Sequence, residues 1–297
     1  MNYIVLDLEW DSVYHPDFHR FINQILQIGA VKLNSNLETL DSIELTVCSD
    51  ISPRVTSRFA KLTGITSEKM RAGIPFVKAV SEYNEWAGTD TVTMSWSTSD
   101  LFAILDNRCL LPDDISFHIE KYIDLQQYIQ NELAYSGNPV SNQISLCKAA
   151  GIFNVSTEGY ELHTAQDDSM VCVSLLRKAY NRERFSALIR DTSDSSFYKR
   201  LFFKSYYLND LDDPLVDKEQ FKFYCGECGS KLKAMSRWKY RNRNFSAKLC
   251  CKKCEKEFIG RVSFRKNFDD VEVKRRLIPI EEVAEDEVQD LSASVSE

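Results

Sequence analysis

Two carboxylates, Asp7 and Glu9, stand two residues apart in the segment Tyr3–Trp10, whose other positions are mostly apolar. That pattern predicts a strand, and on a strand residues i and i+2 leave the same face. Like charges sharing a half-buried face are costly unless a cation neutralises them, so the pair is a candidate metal site. The D-x-E pattern recurs at Asp217 and Asp270, but only the first copy lies in an apolar strand. His163 and Asp168 are five apart at the head of a helix expected over Thr164–Tyr180, with Val171, Val173, Leu175 and Leu176 on its buried side. That offset sets an imidazole on the entering loop and a carboxylate on the first turns. Hard oxygen ligands of this kind select Mg²⁺ or Mn²⁺.

The cysteines divide the chain. Cys48, Cys109, Cys147 and Cys172 are scattered singly among apolar neighbours and read as small buried hydrophobes in a reduced compartment. Five others cluster as Cys225-Gly-Glu-Cys228 and Cys250-Cys251-Lys-Lys-Cys254. Two C-x-x-C knuckles at this separation have tetrathiolate zinc spacing. Cys251 keeps the two-residue gap to Cys254, with Cys250 as the alternative third ligand.

Charge follows the same division. The formal net charge is -7, yet Phe221 to Lys266 holds 14 Lys/Arg against three acids, 14 - 3 = +11, which leaves -18 elsewhere. Lys231, Lys233, Arg237, Lys239, Arg241 and Arg243 flank Trp238, a mixture of cations and aromatic faces that suits phosphates and unstacked bases. These seven are the candidate nucleic-acid contacts. From Glu281 onward there are seven acids and no Lys or Arg. No apolar run reaches 18 residues and the first residues lack a basic leader, so neither a membrane span nor a secretory signal is expected and the cytoplasm is.

The elements that must position these residues form an α/β pattern. Tyr3–Trp10, Ile25–Leu33 and Ser42–Val47 predict an antiparallel meander. Pro75 opens a helix through Trp86 that Gly88 closes, Thr91–Trp96 is a strand, Ser99–Leu111 a helix ended by Pro112, and Ile115–Ile119 a further strand. Helices are then expected over Asp124–Leu133, over Ser141–Ala150 with Ser141 as cap, and at Thr164–Tyr180. The expected domains are residues 1–185, a connector 186–220, a zinc ribbon 221–266 and an acidic, disordered tail 267–297.

Roughly residues 1–182 resemble the DEDDh family of 3′-to-5′ exonucleases. Asp7-Leu-Glu9 is like its first motif, Trp96-Ser-Thr-Ser-Asp100-Leu its second, and His163 with Asp168 its third; Ile25–Val31 and Leu62–Thr66 are further family-like stretches. Thr164 stands where the sister subfamily has a tyrosine, which indicates the histidine class. Members often carry a glycine where this chain has Ser97, and Asp90 and Asp106 compete with Asp100 for the second-motif role.

The resemblance implies a ribonuclease H-like mixed sheet flanked by helices and a two-metal-ion site acting on 3′ ends of RNA or DNA, RNA favoured. It implies Asp7 bridging the ions, Glu9 and Asp168 completing one shell, Asp100 holding the second ion, and His163 taking the proton of the attacking water. The rival reading is a catalytically silent scaffold that binds nucleic acid through its zinc ribbon.

Overall fold

The computed structural model describes residues 1–140, 142–160 and 163–282, and it divides into two units, Met1–Tyr198 and the chain from Lys199 onward. In the first unit β1 (Asn2–His15), β2 (Arg20–Leu33) and β3 (Thr39–Cys48) form the expected meander. Helices α1 (Ser57–Thr63) and α2 (Ser67–Arg71) lead to β4 (Ile74–Pro75), α3 (Phe76–Ala87), β5 (Thr91–Ser95) and α4 (Ser99–Asn107). Then come β6 (Lys121–Asp124), α5 (Leu125–Tyr135), α6 (Leu146–Ile152), α7 (Ala165–Ala179), α8 (Arg182–Leu188), β7 (Arg190–Asp191) and α9 (Ser195–Phe202). The strands make one mixed sheet in the order β4-β3-β2-β1-β5-β6-β7, with β5 parallel to both β1 and β6.

Period-two alternation along β1 sorts its side chains between two cores. Ile4, Leu6 and Leu8 join Phe76, Val80 and Tyr83 of α3, whereas Tyr3 and Val5 join Tyr128 of α5 and Val171 and Leu175 of α7. Each such fully buried aliphatic or aromatic side chain is worth roughly 1.5–3 kcal/mol, so the strand is fixed from both faces and its register cannot slip. Asp7 and Glu9 continue the odd-numbered row, on the α7 side. β1 also outruns β5, whose pairing stops at Val5 opposite Met94. At the far end, the β1–β2 hairpin projects Tyr14, Phe18 and Phe21 as exposed aromatics.

The second unit is an antiparallel sheet of β8 (Tyr206–Tyr207), β9 (Lys233–Ala234), β10 (Lys239–Arg241), β11 (Asn244–Cys251), β12 (Lys256–Lys266) and β13 (Val271–Pro279). Its core is Phe223, Leu232, Phe245, Leu249, Val262 and Phe264.

Several expectations change. Ile115–Ile119 is not a strand, because Asn84 takes up its backbone: the Asn84 amide donates to the Ser116 carbonyl at 2.8 Å and accepts from the His118 N–H at 2.8 Å. The adjacent Lys121–Asp124 pairs with β5 instead. The helix expected from Ser141 starts at Leu146, since the Ser145 hydroxyl accepts from the Lys148 N–H; Ser141 and Leu162 lie outside the described residues. Of the four single cysteines only Cys172 is buried.

The connector 186–220 holds β7, α9 and β8, and the unit boundary falls inside it. The zinc module does not stop at 266: Val271–Pro279, expected as disordered tail, pairs with β12 along its whole length. Val271, Val273 and Leu277 pack into the module's core, and that burial is what orders them. Residues 283–297 of the expected tail lie outside the described residues.

Candidate active site and metal centre

Asp7, Glu9 and Asp168 converge, with one oxygen of each within 4.8 Å of the others. The β1–β2 register shifts between Glu9, opposite Gln27, and Trp10, opposite Ile25, so Leu26 of β2 is the extra residue of a bulge immediately after the acids. Asp168 arrives on the first turn of α7, whose start is seated on β2. Gly29, opposite Asp7, lies so close to the Ala165 and Gln166 backbone that a Cβ there would collide with both. The Gln27 side chain, opposite Glu9, accepts from the Ala165 N–H at 3.1 Å, and the Ser169 hydroxyl donates to the Gly29 carbonyl at 3.3 Å. Thr164 caps the helix, its hydroxyl accepting from the Asp167 N–H.

Asp100 sits on the first turn of α4 and is 3% exposed. Because β5 ends before Leu8, the Leu8 N–H has no strand partner on that side, and it donates to Asp100 Oδ1 at 3.0 Å. This holds Asp100 beside the stretch of β1 that carries Asp7 and Glu9. The competing aspartates are engaged elsewhere: Asp106 pairs with Arg20 and accepts from the Asn23 N–H, and Asp90 pairs with the Met1 amine and Lys121. His163 is exposed and turns into α7 with φ 73°, a left-handed conformation that a residue with a Cβ adopts at some cost.

The electrostatics are those of a site lacking countercharge. Burial, then Asp100, Asp168 and Glu9, push the Asp7 carboxyl well above its usual range. Burial and the charges of Asp168 and Asp100 raise Glu9 to about 8. Asp100 is raised to about 7 by burial, opposed by the Leu8 N–H. Asp168 is raised by burial, with the His163 backbone and imidazole pulling the other way. Among the described residues, Asp168 Oδ1 is buried without a hydrogen-bond partner. An orphaned carboxylate oxygen within an all-oxygen donor set fits a hard divalent cation.

Two neighbours were not singled out from the sequence. The Tyr122 hydroxyl lies 2.8 Å from Ser95 Oγ and donates to the Ser97 carbonyl at 2.8 Å, beneath the turn that leads to Asp100. Asp124, whose pKa burial raises, caps α5 and acts on Asp100 through its charge. An acid directly ahead of the helix Leu125–Tyr135 was the available signal, and it also fits a simple cap.

In the second unit the thiols of Cys225, Cys228, Cys251 and Cys254 lie within 4.8 Å of one another, with Cys225–Cys254 at 4.0 Å and Cys228–Cys251 at 3.5 Å. A tetrahedron of Zn–S bonds of about 2.3 Å has edges of about 3.8 Å, so the cluster fits zinc. Cys250 is outside it, which leaves Cys251 as the third ligand. Of the candidate nucleic-acid contacts, Lys231, Lys233, Arg237, Arg241 and Arg243 are exposed and Lys239 is half-buried. The Trp238 ring packs against Phe221 and Phe223, so its first role is in the module's core. Arg243 lies over the Tyr207 ring.

No curated protein matches this chain. Among solved structures, cell-death related nuclease 4 (CRN-4) aligns at 18% identity and TM-score 0.50, covering 60% of this chain and 62% of its own. The chain thus spans less than two thirds of that relative. The nuclease domain of 3′hExo, a DEDDh family member bound to rAMP, aligns at 20% identity and TM-score 0.50, over 60% of this chain and 90% of its own. A 3′-exonuclease structure concerned with recognition of the histone mRNA stem-loop aligns at 17% identity and TM-score 0.52, over 64% and 84%. At these identities the likeness establishes the fold, a mixed α/β exonuclease sheet. The exonuclease family model RNase_T matches residues 4–176, more than half of the chain, with the converging carboxylates inside the match. By that match the chain belongs to the RNase T/DEDDh family of 3′-to-5′ exonucleases.

Proposed function

We propose that the chain is a metal-dependent 3′-to-5′ exonuclease that trims single-stranded nucleic acid in the cytoplasm, RNA in preference to DNA. The observation that carries this is the convergence of Asp7, Glu9 and Asp168, with Asp100 held alongside by the Leu8 N–H. RNA is favoured because two similar structures are described with rAMP and with a histone mRNA stem-loop. Four unbridged single cysteines and a four-thiol cluster suit a reducing compartment.

Asp7, Glu9 and Asp168 would hold one Mg²⁺ or Mn²⁺, with Asp7 shared toward a second that Asp100 helps to place. Such ions, when bound, stabilise charge on the phosphate and on the leaving oxygen. His163, on the loop entering α7, accepts the proton of the attacking water at its imidazole. Tyr122 and Ser95 keep the turn before Asp100 in place. Cys225, Cys228, Cys251 and Cys254 would hold a structural Zn²⁺, and the basic residues from Lys231 to Arg243 would bind the strand.

The test uses 5′-labelled single-stranded RNA and DNA with Mg²⁺ or Mn²⁺. The expected result is a ladder descending from the 3′ end, faster on RNA and absent with chelator. His163→Ala should slow it by about 100-fold or more, the usual worth of a positioned base. Strands that stay intact under every metal condition while binding persists would replace this reading with the silent scaffold.

A further inference from the structure

The sequence places a run of three cations at Lys274-Arg275-Arg276, next to a tail read as acidic. On β13 these side chains alternate. Arg275 faces the core, its guanidinium 4.6 Å over the Phe223 ring and donating to the Lys222 carbonyl. Lys274 and Arg276 face the opposite side. Register carries that side across the sheet: Arg276 is opposite Arg261, Arg261 opposite Ser246, and Ser246 opposite Lys239. The next row places Lys274 opposite Ser263, and Asn244 opposite Arg241. Cations thus stand at the outer strands and at Arg261 of β12, with Asn244, Ser246 and Ser263 between them.

The result is a concave cleft of about 220 Å³ whose lining includes Tyr207, Asn244, Arg261, Ser263, Lys274 and Arg276, and among the described residues none that lines it is acidic. At about 30 Å³ per water, that volume admits a phosphate group together with several waters. Lys274 does touch Glu272 at 3.0 Å, but the pair is largely exposed, and a pair of that kind is weak enough to yield to a stronger anion. Arg243 closes one side by lying over Tyr207, which leaves an aromatic ring beside the cations.

We infer that this outer face of the C-terminal sheet is a binding track for the phosphodiester backbone of a single strand of nucleic acid, with Lys274 and Arg276 contacting phosphates and Tyr207 offered to an unpaired base. Cations beside an aromatic face are the chemistry of single-strand binding, since a paired and stacked base has no open face to offer a ring. The inference rests on the reading that the chain acts on nucleic acid. It extends the candidates from Lys231 to Arg243, of which Arg243 lines the cleft, onto Lys274 and Arg276 of β13, which they do not include.

The test measures binding apart from hydrolysis. Full-length protein is titrated into a fluorescein-labelled oligonucleotide with a phosphorothioate backbone, at several salt concentrations, and hydrolysis of an unmodified strand is followed in parallel. Lys274→Gln/Arg276→Gln should weaken binding about tenfold or more at 0.1 M salt and flatten the slope of log K against log salt by about 1.4, the share of two phosphate contacts on a single strand. The matched control, Lys252→Gln/Lys253→Gln, removes the same charge from the second zinc knuckle and should change binding far less. Zinc content and circular dichroism certify that both variants are folded. An unchanged slope in the Lys274/Arg276 variant, or equal losses in both variants, overturns the inference. If the wild type binds in this way but hydrolyses nothing, the nuclease reading fails and the track stands.

Discussion

Glu9 and Asp100 carry carboxyls whose pKa values lie above their ordinary values of 4.5 and 3.8, at about 8 and about 7, burial being the main cause in each. A carboxyl raised on folding contributes stability while it is protonated in both states, and that contribution drains away as pH climbs through the folded value. Metal-free protein should therefore lose thermal stability between pH 5.5 and pH 8. A divalent ion would offset the cost of the ionised carboxylates, so Mn²⁺ should raise Tm more at pH 8 than at pH 5.5. Melting curves across that range check this, and a Mn²⁺ effect independent of pH would contradict it. At this scale the grouping of Asp7 with Glu9 was legible because their spacing is local, two along a strand, and Asp168, which the fold brings to them, stood out through the family-like motif it shares with His163. Choosing Asp100 over Asp90 and Asp106 was not legible. It depends on an amide 92 residues away and on ion pairs formed by Arg20, Lys121 and the Met1 amine.

The element that completes the site is α7, and its seat on β2 is a backbone-to-backbone approach that only Gly29 allows. Gly29→Ala should push the start of the helix away from β1, taking Asp168 out of reach of Asp7 and Glu9. Overpacking of this kind costs about 1–3 kcal/mol, so Tm should fall and the Mn²⁺-dependent rise in Tm should shrink together. A variant with wild-type Mn²⁺ response would show that the helix start is not what sets the carboxylate geometry. The meander, α3 and α7 could be read from periodicity, because apolar alternation and helix stops are written into consecutive residues. β13 could not: its exposed face is Glu272, Lys274 and Arg276, and Arg275 on the inner face disguises the alternation of Val271, Val273 and Leu277. Ile115–Ile119 failed for the opposite reason, since its alternation is real but Asn84 meets the backbone needs that a neighbouring strand would have met.

At the scale of the whole molecule, each unit has a core of its own and the four-thiol cluster sits in the second. Structural zinc is a large share of the folding free energy of a small module. On the proposal that the four thiols hold zinc, a chelator under reducing conditions should lower or abolish one thermal transition and leave another in place. A single transition that shifts as a whole would mean that the two units melt together. The first unit imposes a different kind of limit. Asp7 lies near its beginning and Asp168 near its end, and they meet only once α7 is seated on Gly29. During synthesis at about 5–20 residues per second, the growing chain therefore has no complete carboxylate cluster for roughly its first ten to thirty seconds. Until most of the first unit has been translated, a ribosome-bound chain lacks the carboxylate cluster that metal-dependent hydrolysis would need, so any activity begins only late in synthesis.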